Sequence, residues 1–307
     1  MAAPPLIVPN AATDHMFECG QSSRAHDGPV PGLRRPDAGP GIAIWMQWTD
    51  QGIVLGLRRL GESSAVLEVM TATRGRQLGV VRGARSRRMA PMLQPGNRVE
   101  ATWRARLDEQ LGHFTVEPVT MRAARLIERP LALFALQVLV GHLGLLAERE
   151  DHPELHGAVD AVLDSLAETP GPTALELASF LARFELALLN ESGFGLDLSR
   201  CAVSGSEEGL AFVSPRTGRA VSGTAAAGYE DRLLPLPRLL LGSHGINDGR
   251  REVTEAFRLT GHFLERHLYA PRNLTEPPAR RELLTWLGRE LAGSEPRPDG
   301  RSPSAAR

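Results

Sequence analysis

Thr71–Gly96 reads TATRGRQLGVVRGARSRRMAPMLQPG, and the segments on either side take their meaning from it. Arg74, Arg76, Arg82, Arg85, Arg87 and Arg88 fall within fifteen residues that contain no acidic side chain. Short strand-like runs surround them: GIVLGL (Gly52–Leu57), SAVLEVM (Ser64–Met70), QLGVVRG (Gln77–Gly83), RVEATWRARL (Arg98–Leu107) and HFTVEPVTM (His113–Met121). Turn formers separate the runs: LGESS, then TATRGR with Gly75 placed for a tight reversal, then MAPMLQPG with Pro91, Pro95 and Gly96. In Arg98–Leu107 the side chains divide with period two. Val99, Ala101, Trp103, Ala105 and Leu107 take one face; Arg98, Glu100, Thr102, Arg104 and Arg106 take the other. Five strands in about seventy residues, with a long basic loop after the third, predict a five-stranded barrel that presents cations to nucleic acid strands.

Outward from the barrel the pattern changes. Leu126–Glu150 is apolar on most faces, as a buried central helix would be, with Pro130 suited to a first turn. Helical periodicity also marks Glu154–Glu168, Thr173–Asn190, Arg251–Tyr269 and about Arg280–Leu291. Thr173 followed by Glu176 has the spacing of a capping box. Arg200–Tyr229 is short-stranded and turn-rich. The fold class is therefore α+β: a barrel over 46–125 and an all-α domain over 126–292 with a small insertion at 200–229. Residues 1–45 and 293–307 lack periodicity and are expected to be disordered arms.

All 35 basic residues are arginine, and the formal net charge of −1 hides an asymmetry. Residues 46–125 carry 13 Arg against 7 acids (+6), and 126–307 carry 19 Arg against 25 acids (−6), so with −1 from residues 1–45 the three segments sum to −1. A basic half faces a polyanion and an acidic half is left for protein partners. Cys19 and Cys201 offer no disulfide framework, which fits a reduced cytoplasm. No apolar run reaches membrane-spanning length.

Guanidinium groups bind phosphate oxygens through paired, charge-assisted hydrogen bonds, and counterion release drives the association. Arg85, Arg87 and Arg88 head the candidates, followed by Arg74, Arg76 and Arg82. Arg98, Arg104 and Arg106 could extend the groove, diluted by Glu100 on the same face. Trp103 and Phe114 read as core. His152 and His156 read as a solvated helix-face pair. No Walker loop, HExxH pattern or nucleophilic triad is present, so no catalytic residue is assigned.

The ordered set of segments resembles the RecO family of bacterial recombination mediators over about Trp48 to Leu291. The resemblance is carried by GIVLGLRRLGESSAVLEVMTATRGRQLGVVRGARS, MLQPGNRVEATWRARLDEQLGHFTVE, FELALLNESGFGLDLSRCAVSG and LAFVSPRTGRAV. It implies an N-terminal OB-fold barrel and a helical domain with a zinc-ribbon-like insertion. It also implies binding of single- and double-stranded DNA, annealing of complementary strands, and docking on the C-terminal tail of single-strand-binding protein (SSB). With RecR, a family member helps load RecA. In much of the family two CxxC pairs hold zinc; here Cys201 is followed by Ser204, and Ser222 and Ala225 match the second pair. One cysteine of four cannot make a tetrahedral site, so neither metal nor cofactor is expected. The partner groove is expected between helices 131–147 and 251–269. The rival readings are an OB-type RNA-binding or ribosome-associated protein and a nucleic-acid-processing enzyme.

Overall fold

The computed structural model describes residues 46–107, 111–241 and 249–293, so both expected disordered arms lie outside the described residues, apart from Gly293. Five strands come first: β1 (Met46–Leu60), β2 (Ser64–Thr71), β3 (Gly75–Val81), β4 (Arg98–Ala105) and β5 (His113–Thr120). A short helix, α1 (Met89–Met92), lies between β3 and β4. The sheet closes in the order β1-β2-β3-β5-β4. β1 is long enough to serve two neighbours: Met46–Ile53 pairs with β4 and Gly52–Leu60 with β2. The remaining seam is a short parallel contact, Val80 opposite His113, backed by Val80 N–H donating to Gly112 O at 3.0 Å.

The strand alternation holds inside the barrel. Val99, Ala101, Trp103 and Ala105 of β4 join Val54, Leu67, Val69, Val81, Phe114 and Val116 in one apolar core. Leu107 departs from the expected pattern: β4 ends at Ala105, and Leu107 is 62% exposed. GIVLGL is apolar without alternation because β1 is covered on both faces there. Val54 points into the barrel, while Ile53 and Leu55 join the core of the helical part.

The helical part comprises α2 (Ala123–Ile127), α3 (Pro130–Leu143), α4 (Pro153–Ala167), α5 (Ala174–Glu191), α6 (Gly249–Leu264) and α7 (Pro278–Gly293). Between α5 and α6 lies a small sheet of β6 (Leu210–Val213), β7 (Ala220–Ser222) and β8 (Leu234–Pro235). The expected single helix over 126–150 is instead α2 and α3, because Pro130 starts a new helix and α3 stops at Leu143. Thr173 and Glu176 form the capping box at α5. His152 and His156 correct the solvated-pair expectation: they are 6% and 7% exposed, and His152 Nδ1 meets Glu191 Oε2 at 2.7 Å.

Barrel and helices are locked by charge. Arg122, with a fully buried side chain, donates to Gly96 O and to the carboxylates of Asp160 and Asp164 on α4. Removing one partner of a buried pair of this kind strands the other charge in a poor solvent. At the other edge the β2–β3 turn meets the α3–α4 connection. Gly75 has φ +62°, and a Cβ there would lie 1.6 Å from Glu150 O, so the contact needs glycine twice over.

A second buried network ties four helices. Glu185 of α5 accepts from Arg280 of α7 at 2.8 and 2.9 Å and from Thr260 of α6. Burial pushes the Glu185 carboxyl up, but the Arg280 charge and hydrogen bonds outweigh it and hold the group below its ordinary range. His142 of α3 bonds Tyr269 Oη at 2.6 Å, and burial above all lowers its pKa from 6.5 to about 4. A histidine that resists protonation only when folded makes the unfolded chain the better proton binder, so stability falls as pH drops from 6.5 towards 4. His142→Gln should remove roughly 2–3 kcal/mol of that pH dependence. Urea midpoints at neutral and mildly acid pH, wild type against variant, measure it.

Candidate nucleic-acid interface

β1, β4 and β5 turn alternate residues outward, and these form graded rows across the sheet. Gln47, Arg104 and His113 lie in one cross-strand row, Thr49, Thr102 and Thr115 in the next, then Glu100 opposite Glu117. The face therefore runs from cationic through neutral to acidic along about four residues of β4. The β3–α1 loop rises beside its cationic end. Together they enclose a groove of about 770 Å³ lined by Arg82, Arg88, Arg104, His113, Gln47 and Glu117, among others. Beyond the short β3–β5 seam the same row continues through Val80 and Val66 to Arg58.

The nine arginines expected at the interface separate into groups. Arg82, Arg88 and Arg104 line the groove. Arg85 and Arg87 are exposed on the loop at its rim, Arg85 reaching Glu62 O at 3.4 Å. Arg106 is exposed just past β4. Arg74 sits on the β2–β3 turn with its guanidinium 5.3 Å from the Trp48 ring centroid, a cation–π cap on the end of the barrel. None of Arg74, Arg82, Arg85, Arg87, Arg88 and Arg104 has a carboxylate within ion-pair distance among the described residues.

Arg76 and Arg98 are corrections. Arg76 pairs with Glu68 at 2.6 Å, donates to Leu146 O and lies 3.6 Å from Glu148, so it fastens β3 to the α3–α4 connection. Arg98 is held by Asp160 and by Thr120 Oγ1. Arg76 is shared between Glu68 on the neighbouring strand and the α3–α4 connection, and Arg98 is tied to a carboxylate of α4 that its local sequence does not reveal. Arg58 was overlooked; it is exposed at the far end of the Arg104 row, and the Arg58-Arg59 pair closing GIVLGLRR was its only signal.

Aromatic rings of the barrel are turned inward. Trp103 and Phe114 are 2% and 5% exposed, and half-buried Trp48 stacks on Trp103 at 5.8 Å. In the helical part, a groove of about 300 Å³ lies between α6 and α7, lined by Arg250, Val253, Phe257, Arg258, Leu284 and Leu291 among others. It lies between α6 and α7, whereas the expected groove was between α3 and α6; α3 itself packs on α7.

The 200–229 segment does not fit zinc. Cys201 is buried, its sulfur accepts N–H groups of Ser204 and Ser222 at 3.4 and 3.3 Å, and Val221 and Ala226 pack around it. Those hydrogen bonds with Ser204 and Ser222 lower the thiol to about 6. A single sulfur among hydroxyls and methyls is no tetrahedral donor set.

A closed five-stranded barrel with a cationic groove has the architecture of the small OB-type β-barrels, a class that includes proteins holding nucleic acid strands. Known proteins narrow that class. Residues 46–122 match the family model for Recombination protein O N terminal, and 142–276 that for Recombination protein O C terminal. The DNA repair protein RecO of Chelativorans sp. (strain BNC1) is 53% identical over 253 residues, 82% of this chain and 100% of its own. Those of Methylobacterium nodulans and Agrobacterium fabrum are 51% and 48% identical over 252 and 235 residues, covering 81% and 76% of this chain and 100% and 91% of theirs. The chain belongs to the RecO family and has a role in DNA repair and recombination. No described helix is long and apolar enough to cross a membrane.

Two arginines on one strand face test this sorting. Arg104→Ala should lower the log–log salt slope of single-strand binding by about 0.7 with little change in stability. Arg98→Ala should leave the slope alone and lower the unfolding midpoint. Glu117 puts a negative charge on the groove lining, so if the groove takes a strand, Glu117→Gln should tighten binding about two- to threefold at low salt. Oligonucleotide titrations across salt concentrations, with denaturant melts, read all three.

Proposed function

We propose that this chain is a non-enzymatic mediator of recombinational repair that binds single- and double-stranded DNA by the backbone and anneals complementary strands. With RecR it helps load RecA onto strands coated by SSB. The observation that carries the reading is the set of guanidinium groups without a carboxylate partner on one barrel face, where the Trp103 and Phe114 rings are turned inward. Cations held on a scaffold reduce repulsion between two polyanions. Inward aromatic rings leave bases unstacked by the barrel and available for pairing. Binding of this kind is tolerant of sequence and sensitive to salt.

The helical part supplies the protein contacts in this proposal. An SSB tail, acidic with an apolar end, finds matching chemistry in the α6–α7 groove, where Phe257, Leu284 and Leu291 lie between Arg250 and Arg258. The metal-free 200–229 segment is read as a remnant of a zinc ribbon, held by its own hydrogen bonds. The cytoplasm, at the nucleoid, is the proposed place of action.

Replacing Arg85, Arg87 and Arg88 together with Ala should reduce the log–log salt slope of single-strand binding by about two units. An unchanged slope would mean the loop does not touch DNA. Matched DNA and RNA oligomers in competition decide against the RNA-binding alternative: clear preference for RNA would overturn the proposal.

A further inference from the structure

Two stretches that carry the family likeness, Phe184–Gly205 and Leu210–Val221, meet beside the end of α6. Gly193, with φ +83°, lets the chain turn off α5, and Phe194 follows it with 40% of its surface exposed. One face of that ring stacks on His267, with 4.7 Å between centroids and 16° between planes. His267 in turn lies parallel to Phe263 at 6.1 Å. It belongs to a turn of π-helix, Glu265–Tyr269, that directly follows α6. Such turns break the regular helical ladder and occur frequently at functional sites.

The β6–β7 turn adds charge to the stack. Pro215 O accepts from Arg266 Nη1 at 2.7 Å and from His262 Nε2 at 3.2 Å, which brings exposed Arg216 alongside exposed Arg266. Neither guanidinium has a carboxylate within ion-pair distance among the described residues. Burial, then Arg266 and His262, hold His267 below its ordinary range. The patch lies towards the barrel. Glu191 at the end of α5 holds His152 at 2.7 Å, two residues from the Glu150 carbonyl that crowds Gly75 beside Arg74.

We propose that this patch is a second nucleic-acid contact, taking an unpaired base on the Phe194–His267 stack and its phosphate on Arg216 and Arg266. The inference rests on the proposed DNA-binding role and extends it from one strand to two. The barrel holds backbone without rings; the patch combines an exposed ring with cations, which is how single-strand platforms hold successive nucleotides. An annealing protein needs both kinds of contact, one for each strand.

The test uses the full chain with the double variant Phe194→Ala/Arg216→Ala and, as a surface change that spares the ring stack, Arg216→Glu. Both should anneal complementary oligonucleotides about tenfold more slowly, the loss expected for one stacked base or its phosphate anchor. Affinity for the first oligonucleotide should stay within about twofold of wild type, because the barrel contributes that contact. An oligonucleotide bearing 5-iododeoxyuridine should cross-link to Phe194 on irradiation. Normal annealing by folded Arg216→Glu, or no cross-link at Phe194, overturns the inference. The barrel reading fails separately, through an unchanged salt slope after loss of Arg85, Arg87 and Arg88. An acidic peptide that protects Phe194 where oligonucleotide does not would also overturn it, making the patch a protein contact.

Discussion

Arg122 carries its charge where no water reaches it, and the placement of the barrel depends on that charge being satisfied. Its donors are divided between the Gly96 carbonyl of the β3–β4 connection and Asp160 and Asp164 of α4. A guanidinium stripped of water is tolerated only when its partners are all in place, so the barrel has one way to sit on the helices. Arg98 joins the same carboxylates from β4, and the pair draws two cations of the basic half onto two acids of the acidic half. The opposed charges of the two halves are thus partly an internal adhesive rather than wholly an outward display.

What remains outward follows from where the clamp is. β4 enters at the junction with Arg98 and leaves it six residues later with Arg104, both on the same face by period two. The first is neutralised and the second lines an open groove. The acidic Glu100–Glu117 row lies between them, so the cationic surface is confined to the β3–α1 loop and the Arg104–His113 end of β4 and β5. Electrostatics on one strand therefore do two opposite jobs within about 20 Å.

β1 divides two cores. Its inner residue Val54 completes the barrel, while Ile53 and Leu55 on either side pack with the helices. The strand passes from β4 to β2 at Gly52–Ile53, and a bulge between Val54 and Gly56 bends it just beyond that overlap. On the helical side, the Glu185–Arg280 and His142–Tyr269 contacts join helices distant in sequence.

Much of this was legible from residues alone, because local rules are strong where one face is buried. Period-two alternation placed Trp103 and Phe114 inside, and the Thr173–Glu176 spacing announced its helix. The break between α2 and α3 was missed because an apolar run hides its own boundaries. His152 and His156 were misread because burial against another element leaves no local trace. The sequence by itself determined that there would be a barrel, a helical part and an excess of arginine on the former. Only the tertiary structure decided which arginines face solvent, because the ion pairs of Arg98 and Arg122 join residues dozens of positions apart, and neither partner's neighbours in the chain reveal the other.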